Sequence, residues 1–115
     1  MQEHLKLLKD LTVLIVEDDE IARELLIGGL KPYCLSVWGA GDGLEGLERF
    51  KKLTPAVVIT DIHMPAMNGF EMMKEMIRIK PAQKFIVFTS YDTDDNLIKS
   101  IEHGAASFLK KPVDI

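Results

Sequence analysis

The sequence is poor in the features that mark several protein classes. It holds one cysteine, Cys34, in 115 residues. No internal disulfide can form, and a buried free thiol in a reducing cytoplasm is expected. No apolar run approaches the ~18 residues of a membrane span, and the N-terminus lacks the apolar centre of a signal peptide, so a cytoplasmic protein is expected. Clustered base is also lacking. Lys51-Lys52 and Lys110-Lys111 are the only basic doublets and the formal net charge is −4, which argues against a direct nucleic-acid surface, because phosphate backbones are held by grouped Lys and Arg. Internal repeats, low-complexity tracts and His/Cys groupings are absent as well.

What is present is an ordinary globular balance, 47% hydrophobic and 28% charged residues, in a chain long enough for one domain and too short for two. The stretch Val57-Val58-Ile59-Thr60-Asp61-Ile62-His63-Met64-Pro65 organises the rest. Its β-branched, non-alternating run reads as a strand buried on both faces of a parallel sheet. Asp61 is delivered to that strand's carboxyl end, the edge at which open α/β sheets bind ligands.

Residues 2–9 are either a short amphipathic helix or a frayed leader, since helices under ~12 residues are marginal alone. Leu11 to Val16 is a second apolar run, ending in Glu17-Asp18-Asp19-Glu20. Carboxylates at a helix start are favourable, and Asp19 and Glu20 need do no more than that. Ile21, Leu25 and Leu26 then mark one face of a helix that Gly28, Gly29 and Pro32 close. Tyr33 to Trp38 reads as a weaker strand. Gly41, Gly43 and Gly46 fit the dinucleotide pattern G-x-G-x-x-G. A structural reading suffices instead, with glycines for the turn, Asp42 as N-cap with Glu45 three residues on, and Leu44, Leu47 and Phe50 packing inward. A helix is expected from about Gly69 to Ile79, with Phe70, Met73, Met76 and Ile77 on one face. Five of the six methionines fall between Met64 and Met76, and packing on the sheet accounts for them better than an adaptable binding surface. A buried strand from Lys84 to Thr89, a helix carrying Leu97, Ile98 and Ile101, and a fifth strand from Ala106 to Leu109 complete the order. Alternating strands and helices with short connections dictate a doubly wound parallel sheet of five strands.

Parallel topology collects the last residue of each strand on one edge. Glu17 and Asp18, Asp61, Thr89 and Lys111 converge there although they are remote in sequence. Three carboxylates in one place repel unless a cation intervenes. Oxygen donors without His or Cys point to Mg²⁺, with Mn²⁺ as a substitute. Three negative charges, one lysine and a divalent ion sum to near neutrality, and such a site accepts a phosphoryl group.

In combination, the acidic pair after the first strand, Asp61-Ile62-His63-Met64-Pro65 with Asn68-Gly69, Thr89-Ser90 and Lys111-Pro112 resemble the receiver domain of bacterial two-component response regulators from about Leu11 to Pro112. The resemblance implies a flavodoxin-like strand order 2-1-3-4-5. It also implies Asp61 as phosphoacceptor, Glu17, Asp18, Asp61 and the His63 backbone carbonyl as Mg²⁺ ligands, and Lys111 and Thr89 on the phosphoryl oxygens. The donor would be a sensor histidine kinase or a histidine phosphotransfer protein, and the protein a signalling switch rather than an enzyme, with an output domain or protein of unknown kind.

Thr89 and the aromatic of the fifth strand, Phe108, would move on phosphorylation. Phe108 replaces the family's commoner tyrosine and is either that switch residue or a plain core phenylalanine. His63 and Tyr91 would flank the pocket, His4 and His103 are surface residues, and Lys111-Pro112 is a candidate cis bond. The chain stops at Ile115, where the family's fifth helix would begin. A leader over 1–10 and a receiver over 11–115 lacking that last helix are therefore expected, with residues 2–9 or a second copy in a homodimer covering the sheet.

Two other functions compete with this one. A phosphatase of the haloacid dehalogenase type would want a second aspartate where His63 stands. A non-phosphorylated receiver-like scaffold would be expected to have lost one of the acids or the lysine. A flavodoxin is disfavoured because the acidic run after the first strand would repel a phosphate.

Overall fold

A computed structural model describes residues 8–87 with their side chains, and the backbone of 88–89 and 106–110. The elements alternate as β1 (Thr12–Val16), α1 (Glu20–Leu30), β2 (Ser36–Ala40), α2 (Gly43–Leu53), β3 (Val57–Asp61), α3 (Gly69–Ile79), β4 (Lys84–Thr89) and β5 (Ala106–Lys110). The strands form one parallel sheet in the order β2-β1-β3-β4-β5, the doubly wound arrangement that the pattern of runs predicts. Four of the five residues of both β1 and β3 are buried, which is why these strands are apolar without alternation. The edge strand β2 buries only Ala40.

Alternation along the strands divides the core in two. On one face Leu14, Val16, Val58, Phe85 and Val87 meet Phe50 of α2 and Met72, Met73 and Met76 of α3. On the other, Val13, Ile15 and Ile59 meet Leu26 of α1, with Ile27 and Leu30 packed alongside. The methionines pack on the sheet as expected: Met64, Met72, Met73 and Met76 are buried.

Several local expectations are corrected. Helix α1 runs through Gly28 and Gly29 to Leu30, and the Lys31 N–H still donates to the Ile27 carbonyl at 2.8 Å. Pro32, which has no N–H to continue the ladder, is the effective stop. Its inward stripe is Leu26, Ile27 and Leu30; Ile21 and Leu25 lie off it, 74% and 71% exposed. Leu44 is likewise 55% exposed, because the inner stripe of α2 is Gly43, Gly46, Leu47 and Phe50 and Leu44 is rotated away from it. Tyr33 to Leu35 do not belong to β2. The N–H groups of Tyr33 and Cys34 donate to the Leu30 carbonyl in a turn, and pairing with β1 begins at Ser36. Cys34 is half-buried in that turn, and burial raises its thiol pKa above the ordinary value.

Gly43 and Gly46 are not there for a turn. Among the described residues no glycine has positive φ; Thr54 (φ 45°) and Ala66 (φ 68°) do. A Cβ on Gly43 would overlap the Met67 carbonyl, and one on Gly46 would fall 2.8 Å from Met72 Sδ and 2.9 Å from Val16 Cγ2. Close approach of α2 to the loop at Met67, to β1 and to α3 accounts for these two positions of the G-x-G-x-x-G spacing. The helix expected to carry Leu97, Ile98 and Ile101, residues 1–7 of the expected leader and the chain beyond Lys110 lie outside the described residues, while residues 8–10 of that leader form a turn.

Candidate functional site

The carboxyl edge of the sheet is built by strands that end together. Val16 pairs with Ala40 and with Thr60, and Asp61 with Phe88. Past Val16 the Glu17 N–H makes one more bond to the Ala40 carbonyl at 3.0 Å. The chain then leaves the sheet and enters α1. The four acids of Glu17-Asp18-Asp19-Glu20 divide at this point. Asp19 is the N-cap, accepting from the N–H groups of Ile21 and Ala22 at 2.9 and 3.1 Å, and Glu20 sits in the first turn. Both serve the helix. Glu17 and Asp18 turn toward β3.

One carboxylate oxygen from each of Glu17, Asp18 and Asp61 lies within 4.8 Å of the others. Glu17 is 1% and Asp61 7% exposed, while Asp18 is exposed. Asp61 Oδ1 accepts the Ile62 N–H at 2.7 Å and, at a longer 3.4 Å, the His63 N–H. The carboxylate is thereby oriented by its own following loop. An oxygen-only donor set of three acids, one of them open to solvent, fits a hard divalent cation that keeps part of its water.

The loop after Asp61 is held by contacts that the sequence signals only in part. The Gly69 N–H donates to the Ile62 carbonyl at 2.7 Å, and a Cβ on Gly69 would overlap the Asp61 carbonyl oxygen. Asn68 caps α3 through the Glu71 N–H at 2.8 Å, a partnership the Asn-x-x-Glu spacing advertises. Between them, the Met67 N–H donates to the Pro65 carbonyl at 2.9 Å across Ala66, whose φ is 68°. This is a γ-turn with positive φ, a strained form. Nothing in the sequence marks Ala66, because such a position favours glycine. Thr60, fully buried, donates its hydroxyl to the Asp61 carbonyl at 2.8 Å.

Arg23 of α1 was not expected to bear on the site. Its Nη1 donates to the Glu17 carbonyl at 2.7 Å. His63 is exposed. Thr89 ends β4 one residue beyond the partner of Asp61, and Phe108 pairs with Val87 in β5; their side chains are outside the described set. Lys111, Tyr91, His4, His103 and Pro112 also lie outside the described residues, although Lys110, next to Lys111 in the chain, pairs with Thr89. A surface cleft of about 270 Å³ lined by Glu45, Glu48, Arg49, Lys52 and Leu53 involves none of the three acids.

Comparison with known proteins agrees with this geometry. The family model described as "Response regulator receiver domain" matches residues 13–115. The chain is 38% identical over 101 residues to the chemotaxis protein CheY of Thermotoga maritima, a match covering 87% of this chain and 84% of that protein. It is 36% identical over 105 residues to a cyclic di-GMP phosphodiesterase of the same organism, covering 91% of this chain and only 28% of that larger protein. Among solved structures, the N-terminal domain of an uncharacterized protein from Wolinella succinogenes is similar at a TM-score of 0.83 and 40% identity, over 90% of this chain and 84% of that one.

Proposed function

The chain belongs to the response regulator receiver family, whose members are phosphoacceptor signalling modules of two-component systems, and from that premise we propose that Asp61 is the residue that carries the phosphoryl group. The supporting observation is the meeting of the Glu17, Asp18 and Asp61 carboxylates within 4.8 Å at the carboxyl edge of the sheet. A carboxylate oxygen of Asp61 attacks the phosphorus of a phosphohistidine; the P–O bond forms as the P–N bond breaks, and the imidazole leaves with the electron pair and takes up a proton. The donor is a histidine kinase or a histidine phosphotransfer protein.

Phosphoryl transfer is governed by positioning and by charge neutralisation over the equatorial oxygens. Asp61 supplies the positioning, since the N–H groups of Ile62 and His63 fix its Oδ1. Glu17, Asp18, Asp61 and the His63 backbone carbonyl would hold Mg²⁺, or Mn²⁺ in its stead, which when bound neutralises charge on the transferred group. Lys111 is assigned to the phosphoryl oxygens and Thr89 to the hydrogen bond that reports the new charge, with Phe108 as the responding aromatic. The acyl phosphate carries close to two negative charges where one stood, and that change is the signal.

The receiver unit is assigned to residues 11–115 and the leader to 1–10. The protein acts in the cytoplasm on an output that is another domain or another protein. No helix among the described residues is long and apolar enough to cross a membrane.

Incubation with a small acyl phosphate and Mg²⁺ followed by intact-mass measurement tests the assignment. One hydroxylamine-labile phosphoryl group is expected on the wild type, and none on Asp61→Asn or with a chelator present. Equal labelling of Asp61→Asn would overturn it.

A further inference from the structure

The inward stripe of α1 consists of Leu26, Ile27 and Leu30. One turn earlier, three residues before Leu26 and four before Ile27, that face carries Arg23, where an apolar residue would continue the pattern. The side chain is half-buried and spans the gap from α1 to the end of β1, where Nη1 meets the Glu17 carbonyl at 2.7 Å. Its path runs past two glycines, Gly39 of β2 and Gly41 just beyond that strand. A Cβ on Gly39 would lie 2.8 Å from Ile27 Cδ1 and 3.2 Å from Arg23 Cδ, and one on Gly41 would touch Nη1 at 3.4 Å, so a branched side chain there would crowd the guanidinium.

That carbonyl belongs to the peptide joining Glu17 to Asp18, the two acids of the site. The ladder bond from the Glu17 N–H to Ala40 fixes one side of Glu17, and Arg23 fixes the other. A charge-assisted donor holds a carbonyl more firmly than a neutral one. With both sides of the residue tied, the directions in which Glu17 and Asp18 leave the backbone are set before any ligand arrives. We propose that Arg23 is a positioning residue for cation binding, locking the Glu17–Asp18 peptide so that the two carboxylates meet Asp61 in the geometry a divalent ion needs. This rests on the assignment of the three acids as the metal site and adds a residue outside it.

Electrostatics and positioning make opposite predictions for its removal. A guanidinium bonded to the backbone of the acidic edge repels an incoming cation, so deleting the charge alone would tighten metal binding. Loss of positioning weakens it. Free Mn²⁺ counted by electron paramagnetic resonance in titrations of the folded protein separates the two, with thermal midpoints measured alongside in chelator. Arg23→Met should weaken Mn²⁺ binding about tenfold, the low end of the range for outer-shell partners of metal ligands. Arg23→Lys, which keeps a long side chain ending in a donor, should recover most of that loss.

Gly41→Val, whose branched side chain would crowd the guanidinium while Arg23 stays in the sequence, should also weaken binding, and it decides the matter should Arg23→Met not fold. Wild-type or tighter Mn²⁺ binding in Arg23→Met would overturn the proposal, even with a lowered thermal midpoint, as would wild-type binding in Gly41→Val when that variant decides. A wild-type protein that binds no Mn²⁺ would overturn instead the reading of the acidic site on which the proposal stands.

Discussion

The two faces of the sheet are packed by different means. Under α2 and α3 the core is broad and closely fitted: four methionines and Phe50 fill it, and Gly43 and Gly46 let α2 approach until no Cβ would fit without displacing a neighbour. Under α1 the buried set among the described residues is Val13, Ile15, Leu26 and Ile59, with further residues only partly covered, and Ile21 and Leu25 face outward. The first face gains its stability from contact density, where removing a side chain leaves a void the surroundings cannot fill. Among the described residues the second is looser, and its helix also carries the arginine that reaches the acidic edge.

The difference can be broken by mutation, with stabilities from urea unfolding midpoints. Met72→Ala opens a cavity in the dense face beside Gly46 and Val16 and should cost in the upper part of the range of about 2–5 kcal/mol for such truncations. That is a large fraction of the roughly 5–15 kcal/mol that holds a domain together. Leu26→Ala should cost about 2–3 kcal/mol, because a residue at 8% exposure in a less crowded layer leaves a void that collapses more easily. An equal or larger loss at Leu26 would mean that the two layers are equivalent. Leu25→Ala, one residue away but 71% exposed, should stay within about 0.5 kcal/mol; a loss near that of Leu26→Ala would show that this surface is covered in solution.

Much of the scaffold was legible before any coordinates. β-Branched and non-alternating runs mark the buried strands, and Asp42 with Glu45 marks a helix start that the structure reproduces, the Glu45 N–H donating to Asp42 Oδ1 at 2.8 Å. Glu17, Asp18 and Asp61 were legible as a group because parallel topology leaves strand ends nowhere else to go. The misassigned apolar residues share one cause. Ile21, Leu25 and Leu44 are apolar residues beside the true stripe, and hydropathy alone does not fix which of two overlapping stripes faces the sheet. The glycines of Gly41-Asp42-Gly43 suggested a turn, whereas Gly43 answers to the Met67 carbonyl, 24 positions away in sequence.

The order of strands and helices, and the edge on which the acids gather, follow from the chain's local pattern, because hydrophobic period and parallel connection are short-range properties. Which residue reaches across to the Glu17 carbonyl, why Gly46 tolerates no side chain and how Ala66 comes to sit at positive φ were settled only when distant segments met. Those are contacts between elements, and a one-dimensional pattern carries no distances between its parts.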